Sequence, residues 1–455
     1  MNYEHFLERR KQLADGEGFD PIEIHDFLFP FQKYLVDYAC RQGRSAIFAD
    51  CGLGKTAMQL SWADNVNRNT NKPVLIFTPL AVGRQTVRES EKFGIEARQT
   101  RDGSIWSGIN VTNYEQLHKF SPDDFAGVVC DESSCLKNFK SARLSDIKEF
   151  MRRIPYRLLC TATAAPNDFF ELGTSSDVLG GLGFRDMITT FFKQETGKDH
   201  LGWGRTKYRF RGHAEQPFWR WVTSWARACQ KPSDLGFEDN GYELPALIET
   251  ETVVENTKAR PGMLFPVMAK SLQEQRQERR LSINERIEQA ARNVLSAEGV
   301  SVVWCQLNDE ADLMEKSIPC AEQIKGSMKD EAREEKLEAF TNGEISCLVT
   351  KPKIGCWGLN WQHCNNVVMF PGHSFEQYYQ AIRRCWRFGQ EHPVNLELIV
   401  NEGEAGILKN LQRKQRQAGE MFASIVAHMN DSMRLFSTDS FPNQERLPKW
   451  VSSTK

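Results

Sequence analysis

The chain has 455 residues, of which 40% are hydrophobic and 26% charged, a length for two to four domains and a balance that excludes a disordered chain, a collagen-like chain and a small disulfide scaffold. Lys plus Arg number 58 against 60 Asp plus Glu, a formal net charge of −2, so any surface for nucleic acid has to be a local patch. No apolar run approaches the roughly 20 residues of a membrane span, and residues 1–11 mix acids and bases, so neither a membrane segment nor a secretory signal is expected. The 12 Cys include no Cys-x-x-Cys pair. Cys130, Cys160, Cys305 and Cys347 sit in apolar runs and read as small buried hydrophobes in a reducing cytoplasm rather than as zinc ligands.

No repeat of 20 to 50 residues is visible. In chain order, an extension over 1–25 precedes short β-branched apolar runs that alternate with helical patterns. The strand candidates are Ala46–Ala49, Val74–Thr78, Val128–Cys130 and Leu158–Thr161, then Val302–Gln306, Ser346–Thr350, Asn366–Phe370 and Asn395–Val400. This alternation predicts an α/β fold with two parallel-sheet domains, over 26–200 and 246–405. Between them, 201–245 is rich in Trp and Arg and reads as a helical insertion. The run Lys270–Arg292 reads as a long exposed helix bridging the domains, and 406–455 as C-terminal helices and a polar tail.

The strand Ala46–Ala49 runs into Asp50-Cys51-Gly52-Leu53-Gly54-Lys55-Thr56, and a helical pattern follows. This is a P-loop in its required context, although Ala49 stands where the full pattern has its first Gly. Gly52, Leu53 and Gly54 offer backbone N–H groups to phosphate oxygens at a helix N-terminus. Lys55 is placed for the β- and γ-phosphates of ATP, and the Thr56 hydroxyl for Mg²⁺. After the strand Val128–Cys130 come Asp131 and Glu132. Carboxylates there face the edge at which open α/β sheets bind ligands. Asp131 is placed to hold Mg²⁺, and Glu132 to orient or deprotonate the attacking water.

Asp131-Glu132-Ser133-Ser134-Cys135-Leu136-Lys137-Asn138 resembles the acidic motif of the Snf-type ATPases of helicase superfamily two, with Ser133-Ser134 in place of the usual Ala-His. Further matches follow in order. Phe29-Pro30-Phe31-Gln32 resembles the upstream glutamine motif, which implies that Gln32 reads the adenine edge. Thr78-Pro79-Leu80 and Val111-Thr112-Asn113-Tyr114-Glu115 resemble motifs on the DNA side. Thr161-Ala162-Thr163 resembles the motif that couples hydrolysis to DNA movement. Gly355-Cys356-Trp357-Gly358-Leu359-Asn360 resembles the fifth motif, with Gly358 and Asn360 on the nucleotide side. Gln380-Ala381-Ile382-Arg383-Arg384-Cys385-Trp386-Arg387-Phe388-Gly389-Gln390 resembles the sixth, in which Arg384 and Arg387 face the nucleotide. The wording of this last motif looks most like compact bacteriophage and prophage versions.

The resemblance implies two RecA-like domains, with ATP and Mg²⁺ as cofactors and catalysis by Lys55, Asp131, Glu132, Arg384 and Arg387. It further implies a motor on double-stranded DNA, working as a monomer in the cytoplasm of a bacterial host, alongside phage or host DNA-processing proteins. A strand-separating helicase and a nucleotide-gated scaffold are the competing readings. Arg384 and Arg387 are three apart and share a face of a helix that Gly389 would end. In the Trp/Arg segment, Arg205, Lys207, Arg209 and Arg211 alternate, which puts them on one face of an extended run, with Tyr208 and Phe210 on the other. These four are candidate contacts to DNA phosphates, while Trp219, Trp221 and Trp225 read as core.

Overall fold

The computed structural model describes residues 18–80, 82–136, 142–165, 169–198, 204–239, 241–255, 272–355 and 359–434, without the side chains of 142–143, 195–198, 204–207, 272–273, 275, 330 and 430–434. The chain forms two compact units, one of residues 1–239 with 418–455 and one of residues 240–417.

The first unit begins with α1 (Pro30–Gln42), β1 (Arg44–Ala49), α2 (Lys55–Thr70), β2 (Val74–Thr78), α3 (Gly83–Lys92), β3 (Ala97–Gln99), β4 (Ile109–Asn113) and β5 (Gly127–Asp131). It continues with α4 (Ala142–Arg152), β6 (Tyr156–Cys160), α5 (Glu171–Leu179), α6 (Phe184–Phe191), β7 (Phe192–Lys198), β8 (Gly204–Phe210), α7 (Glu215–Thr223) and β9 (Ala226–Cys229). Seven strands form one sheet in the order β3-β4-β2-β5-β6-β1-β9, every pair parallel. A parallel sheet is covered on both faces, so its strands need continuous apolar runs. Ile47, Phe48, Leu75, Ile76, Val129 and Leu159 accordingly have no exposure at all, and each such side chain contributes about 1.5–3 kcal/mol by leaving water. Gly127 lets α2 approach β5 closely, since a Cβ there would lie 2.8 Å from Val66 Cγ1.

Of the segment 201–245, the described residues 204–239 belong to the first unit. β9 joins the first sheet beside β1, and α7 turns Phe218, Trp219, Trp221 and Val222 into the core of the first unit. The reason is the amphipathic spacing of α7, whose aromatic face meets Phe191, Phe192 and Phe210. β7 and β8 pair antiparallel as a separate ribbon. Its alternation follows the period-two reading. Tyr208 and Phe210 pack on Phe170 and Phe192, with centroids 5.3 and 4.6 Å apart, while Arg209 is exposed.

The second unit contains β10 (Leu247–Val254), α8 (Leu272–Leu281), α9 (Ile283–Ser296), β11 (Val300–Trp304), α10 (Asn308–Ser317), β12 (Ala321–Gln323), α11 (Asp330–Thr341) and β13 (Cys347–Thr350). α12 (Pro352–Gly355), β14 (Cys364–Met369), α13 (Phe375–Ile382) and β15 (Val394–Asn401) complete it. Its six strands run β10-β15-β14-β11-β13-β12, again all parallel. The run 270–292 is not a single exposed helix. It breaks at Ser282 into α8 and α9, and Arg279 and Arg286 point inward. Arg286 Nη1 lies 2.7 Å from Glu310 Oε1, and Arg279 Nη2 2.5 Å from Glu404 Oε1. A charged composition that suggests a solvated face thus conceals buried ion pairs among Arg279, Arg286, Glu310 and Glu404. The last helix, α14 (Ala405–Arg434), contributes to both units. Ile407 and Leu411 precede residue 418, whereas Met421, Phe422 and Ile425 belong to the first unit's core. No helix among the described residues is long and apolar enough to cross a membrane.

Candidate functional site

β1 delivers the loop Asp50–Gly54 to the carboxyl edge of the first sheet, beside the ends of β5, β6 and β9. Gly52 and Gly54 have φ of 89° and 73°, in the left-handed region where residues with a Cβ are penalised. At Gly54 a Cβ would also meet Gln32 Nε2 at 2.4 Å. Gln32 is buried behind the loop. Its Oε1 accepts from Phe29 N–H at 2.9 Å, and its Nε2 donates to the Leu53 carbonyl at 3.0 Å. It therefore couples the start of α1 to the phosphate loop. Lys55 opens α2, and its Nζ donates to the Ala49 and Asp50 carbonyls at 3.0 and 3.2 Å, so the ammonium lies within the concave side of the turn. Thr56 follows, half-buried, at the second position of α2.

Asp131 ends β5 and is buried. Gln59 Nε2 donates to Asp131 Oδ1 at 2.7 Å, and the Tyr114 hydroxyl donates to the Asp131 carbonyl at 2.5 Å. Burial, then the neighbouring Glu132 charge, push the Asp131 carboxyl up, against the opposing pull of Gln59 and Lys55. Glu132 has φ of 50°, one of two described non-glycine residues with positive φ. This strained backbone turns its carboxyl toward β6, where Thr161 Oγ1 donates to Glu132 Oε2 at 3.3 Å. The same Thr161 oxygen accepts from Thr163 N–H at 3.0 Å. One hydroxyl thus links the Glu132 carboxylate to the Thr161–Thr163 turn.

No motif announces Gln59 or Tyr114 as a support of Asp131. Gln59 lies four residues after Lys55, on the same face of α2, and that spacing is the available signal. Tyr114, expected on the DNA side, is instead buried, stacks on Phe77 with centroids 5.5 Å apart, and fixes Asp131. Thr78 and Thr161 are the expected contacts to a nucleic-acid backbone that lie deepest. Each is buried, and Thr78 spends its hydroxyl on the Thr112 carbonyl at 3.4 Å. Asn113 and Thr163 are also buried, although Asn113 Oδ1 and Thr163 Oγ1 have no partner among the described residues; Pro79 is half-buried. Arg209 is exposed. Arg211 is exposed as well, with its Nε donating to the Phe192 carbonyl at 2.8 Å. The side chains of Arg205 and Lys207 lie outside the described residues; their backbones pair with Gly197 and Glu195.

In the second unit α13 ends at Ile382, so Arg384 and Arg387 stand in successive tight turns rather than on a helix running to Gly389. The turns form because Arg384, Cys385 and Trp386 N–H groups reach back to Ala381 and Ile382. Both arginines still point one way, since each donates to the Leu359 carbonyl at 3.1 Å. Arg384 is buried and further held by the Gln380 carbonyl and side chain at 3.0 and 2.6 Å. Arg387 is half-buried. Asn360 Oδ1, next to Leu359, has no partner among the described residues. Gly358 lies outside them.

Among the described residues no group of three or more His, Cys, Asp or Glu could hold a metal by itself. Mg²⁺ is ordinarily held by one or two carboxylates together with substrate phosphates and water. A donor set of Thr56 and Asp131 fits an ion that arrives with a nucleotide, and does not form a closed protein cage.

The helicase conserved C-terminal domain family matches residues 284–389, from α9 through the arginine turns. The chain is 23% identical over 436 residues to protein p41 of Acyrthosiphon pisum secondary endosymbiont phage 1, covering 82% of this chain and 92% of that protein. It is 28% identical over 159 residues to the SWI/SNF-related matrix-associated actin-dependent regulator of chromatin subfamily A-like protein 1 of Xenopus tropicalis, and 30% over 134 residues to the DNA repair protein RAD5 of Yarrowia lipolytica. Those stretches span 32% and 28% of this chain, and only 17% and 13% of the two eukaryotic proteins. Among solved structures, S. cerevisiae dbp5 bound to gle1 and ip6 superimposes with a TM-score of 0.52 at 11% identity, over 85% of this chain and 86% of that one. The two sheets are RecA-like parallel-sheet domains. With the helicase C-terminal domain on the second of them, the chain is an ATP-hydrolysing enzyme of helicase superfamily two.

Proposed function

We propose that the chain is a Snf-type motor that hydrolyses ATP with Mg²⁺ and translocates on double-stranded DNA. The observation that carries the ATPase part is the assembly at one sheet edge of the Lys55 loop, Asp131 and Glu132, with Gln59 and Thr161 holding the two carboxylates. Support for DNA comes from the relatives named for chromatin regulation and DNA repair. The phage relative favours the cytoplasm of a bacterial host and phage or host DNA-processing partners. Monomer is the proposed state.

When bound, the metal screens phosphate charge; the protein does the rest. Loop N–H groups and Lys55 would orient the phosphates, Thr56 and Asp131 would hold the ion, and Glu132 would take the proton of the attacking water. Arg387 stabilises charge on the transferring phosphoryl group, a contribution worth about 10³ to 10⁵ in rate where such arginines act. Arg384 serves mainly to hold Leu359 and the turn that presents Arg387. Relief of the Glu132–Thr161 hydrogen bond on hydrolysis passes the change to the Thr161–Thr163 turn.

The test is displacement of a third strand from a triplex on blunt duplex DNA, run beside unwinding of a forked duplex. ATP-dependent triplex displacement without unwinding is expected. Unwinding of the fork would establish a strand-separating helicase, and nucleotide-dependent binding with neither activity a scaffold.

A further inference from the structure

A glutamine that reads adenine must present its amide to the base, with the carbonyl oxygen accepting and the NH₂ donating at once. Gln32 directs both groups to its own chain. It stands at the third position of α1, where its Oε1 accepts from Phe29 N–H at the helix N-cap, 2.9 Å away. That is the half of a capping box that a Gln at this position supplies. Its Nε2 donates to the Leu53 carbonyl at 3.0 Å. The two bonds fix the plane and direction of the amide, and only 3% of the residue is exposed. The amide lies tight against the loop, since a Cβ on Gly54 would come within 2.4 Å of Nε2. The neighbouring rings are turned inward too. Phe29 and Phe31 are buried and stack on each other with centroids 6.4 Å apart, so neither presents a face to a base.

What Gln32 holds is the peptide that joins Leu53 to Gly54, immediately before Lys55. The two ends of that peptide are fixed as well. Leu53 N–H closes onto the Asp50 carbonyl at 3.4 Å, and the Gly54 carbonyl accepts from Met58 N–H at 3.3 Å, the bond that starts α2. Leu53 is buried, so without the Gln32 amide its carbonyl would lose its partner in a place water does not reach. Gln32 thus sets the stretch of loop whose N–H groups face phosphate. These contacts bear on the triphosphate and distinguish no base from another.

We infer that Gln32 is a positioning residue for the phosphate loop and not a reader of adenine, and that the site takes nucleoside triphosphates by their triphosphate, with GTP turned over alongside ATP. The inference rests on the phosphate-loop reading under Proposed function. The test uses the full chain and the variant Gln32→Ala. Kd is measured by titration calorimetry for ATP, GTP and inorganic tripolyphosphate, and kcat/KM for the two nucleotides. A site built to hydrogen-bond a substrate group rejects an analogue without that group by about 10⁴–10⁵ in kcat/KM, whereas the wild type is expected to keep GTP within about tenfold of ATP. In Gln32→Ala, kcat/KM for ATP and GTP should fall by the same factor, and the Kd of tripolyphosphate should rise. Tripolyphosphate carries no base, so its weakened binding reports the loop alone. Wild-type preference for ATP of about 10³ or more overturns the open specificity, and this ratio needs no variant. A preference that Gln32→Ala abolishes, with tripolyphosphate binding unchanged, returns Gln32 to the adenine edge. A wild type that hydrolyses neither nucleotide sinks the proposed motor, while the Kd values for ATP and GTP still decide whether the base is read.

Discussion

Glu132 combines a strained backbone with the role of general base proposed above. A left-handed conformation costs a non-glycine residue about 1–2 kcal/mol, and here it turns the carboxyl toward Thr161. Glu132→Gly should raise unfolding stability by about 1 kcal/mol while abolishing ATP turnover, whereas Glu132→Gln should lose turnover without the stability gain from φ. Urea unfolding of both variants checks this; equal stabilities would mean that the strain is not stored there. Gln59 works on the other carboxylate. Its hydrogen bond opposes the upward push on Asp131, and an ion needs Asp131 deprotonated. Gln59→Ala should therefore raise the Mg²⁺ concentration for half-maximal turnover about 10- to 100-fold and move the acid limb of the pH–rate profile to higher pH. An unshifted acid limb would separate Gln59 from Asp131.

At the scale of elements, the arginine turns and the α8–α9 pair show what residue type hides. Arg384 and Arg387 are equivalent by their spacing, but Arg384 is locked to Gln380 and Leu359. Arg387→Ala should lower kcat with little change in melting temperature, while Arg384→Ala should lower both; the reverse pattern in kinetics and thermal unfolding would exchange their roles. Arg279 and Arg286 read as solvated because Gln, Glu and Arg surround them. Their partners Glu310 and Glu404 lie far along the chain, and no local pattern announces such pairs. Burial works to raise the Glu310 carboxyl, but Arg286 and then Arg279 outweigh it and hold it low. Its contribution to stability is then present above the ordinary carboxylate range and is lost as pH falls through its lowered value. Glu310→Ala should cost about 3–5 kcal/mol at pH 7, because it leaves buried guanidinium charge uncompensated. That loss should shrink in strong acid, and denaturant unfolding across pH will show whether it does.

For the whole molecule, the two sheets were legible because strands buried on both faces carry continuous apolar runs, as residues 74–77 and 347–349 do. The P-loop and Asp131-Glu132 were legible because their chemistry sits in contiguous residues. Short or polar strands such as β3 and β9 were not, since pairing across the sheet rather than their own sequence makes them strands. Nor was the membership of α14 in both units, which depends on where Met421, Phe422 and Ile425 find apolar partners. The proposed motor couples ATP hydrolysis at the Lys55 loop to duplex DNA. It is tested most directly by steady-state ATP turnover of the wild type and of Lys55→Ala, each with and without blunt duplex DNA. Turnover that rises severalfold with duplex in the wild type and is lost from a folded Lys55→Ala protein is the predicted result; turnover indifferent to DNA, or retained without Lys55, would contradict it.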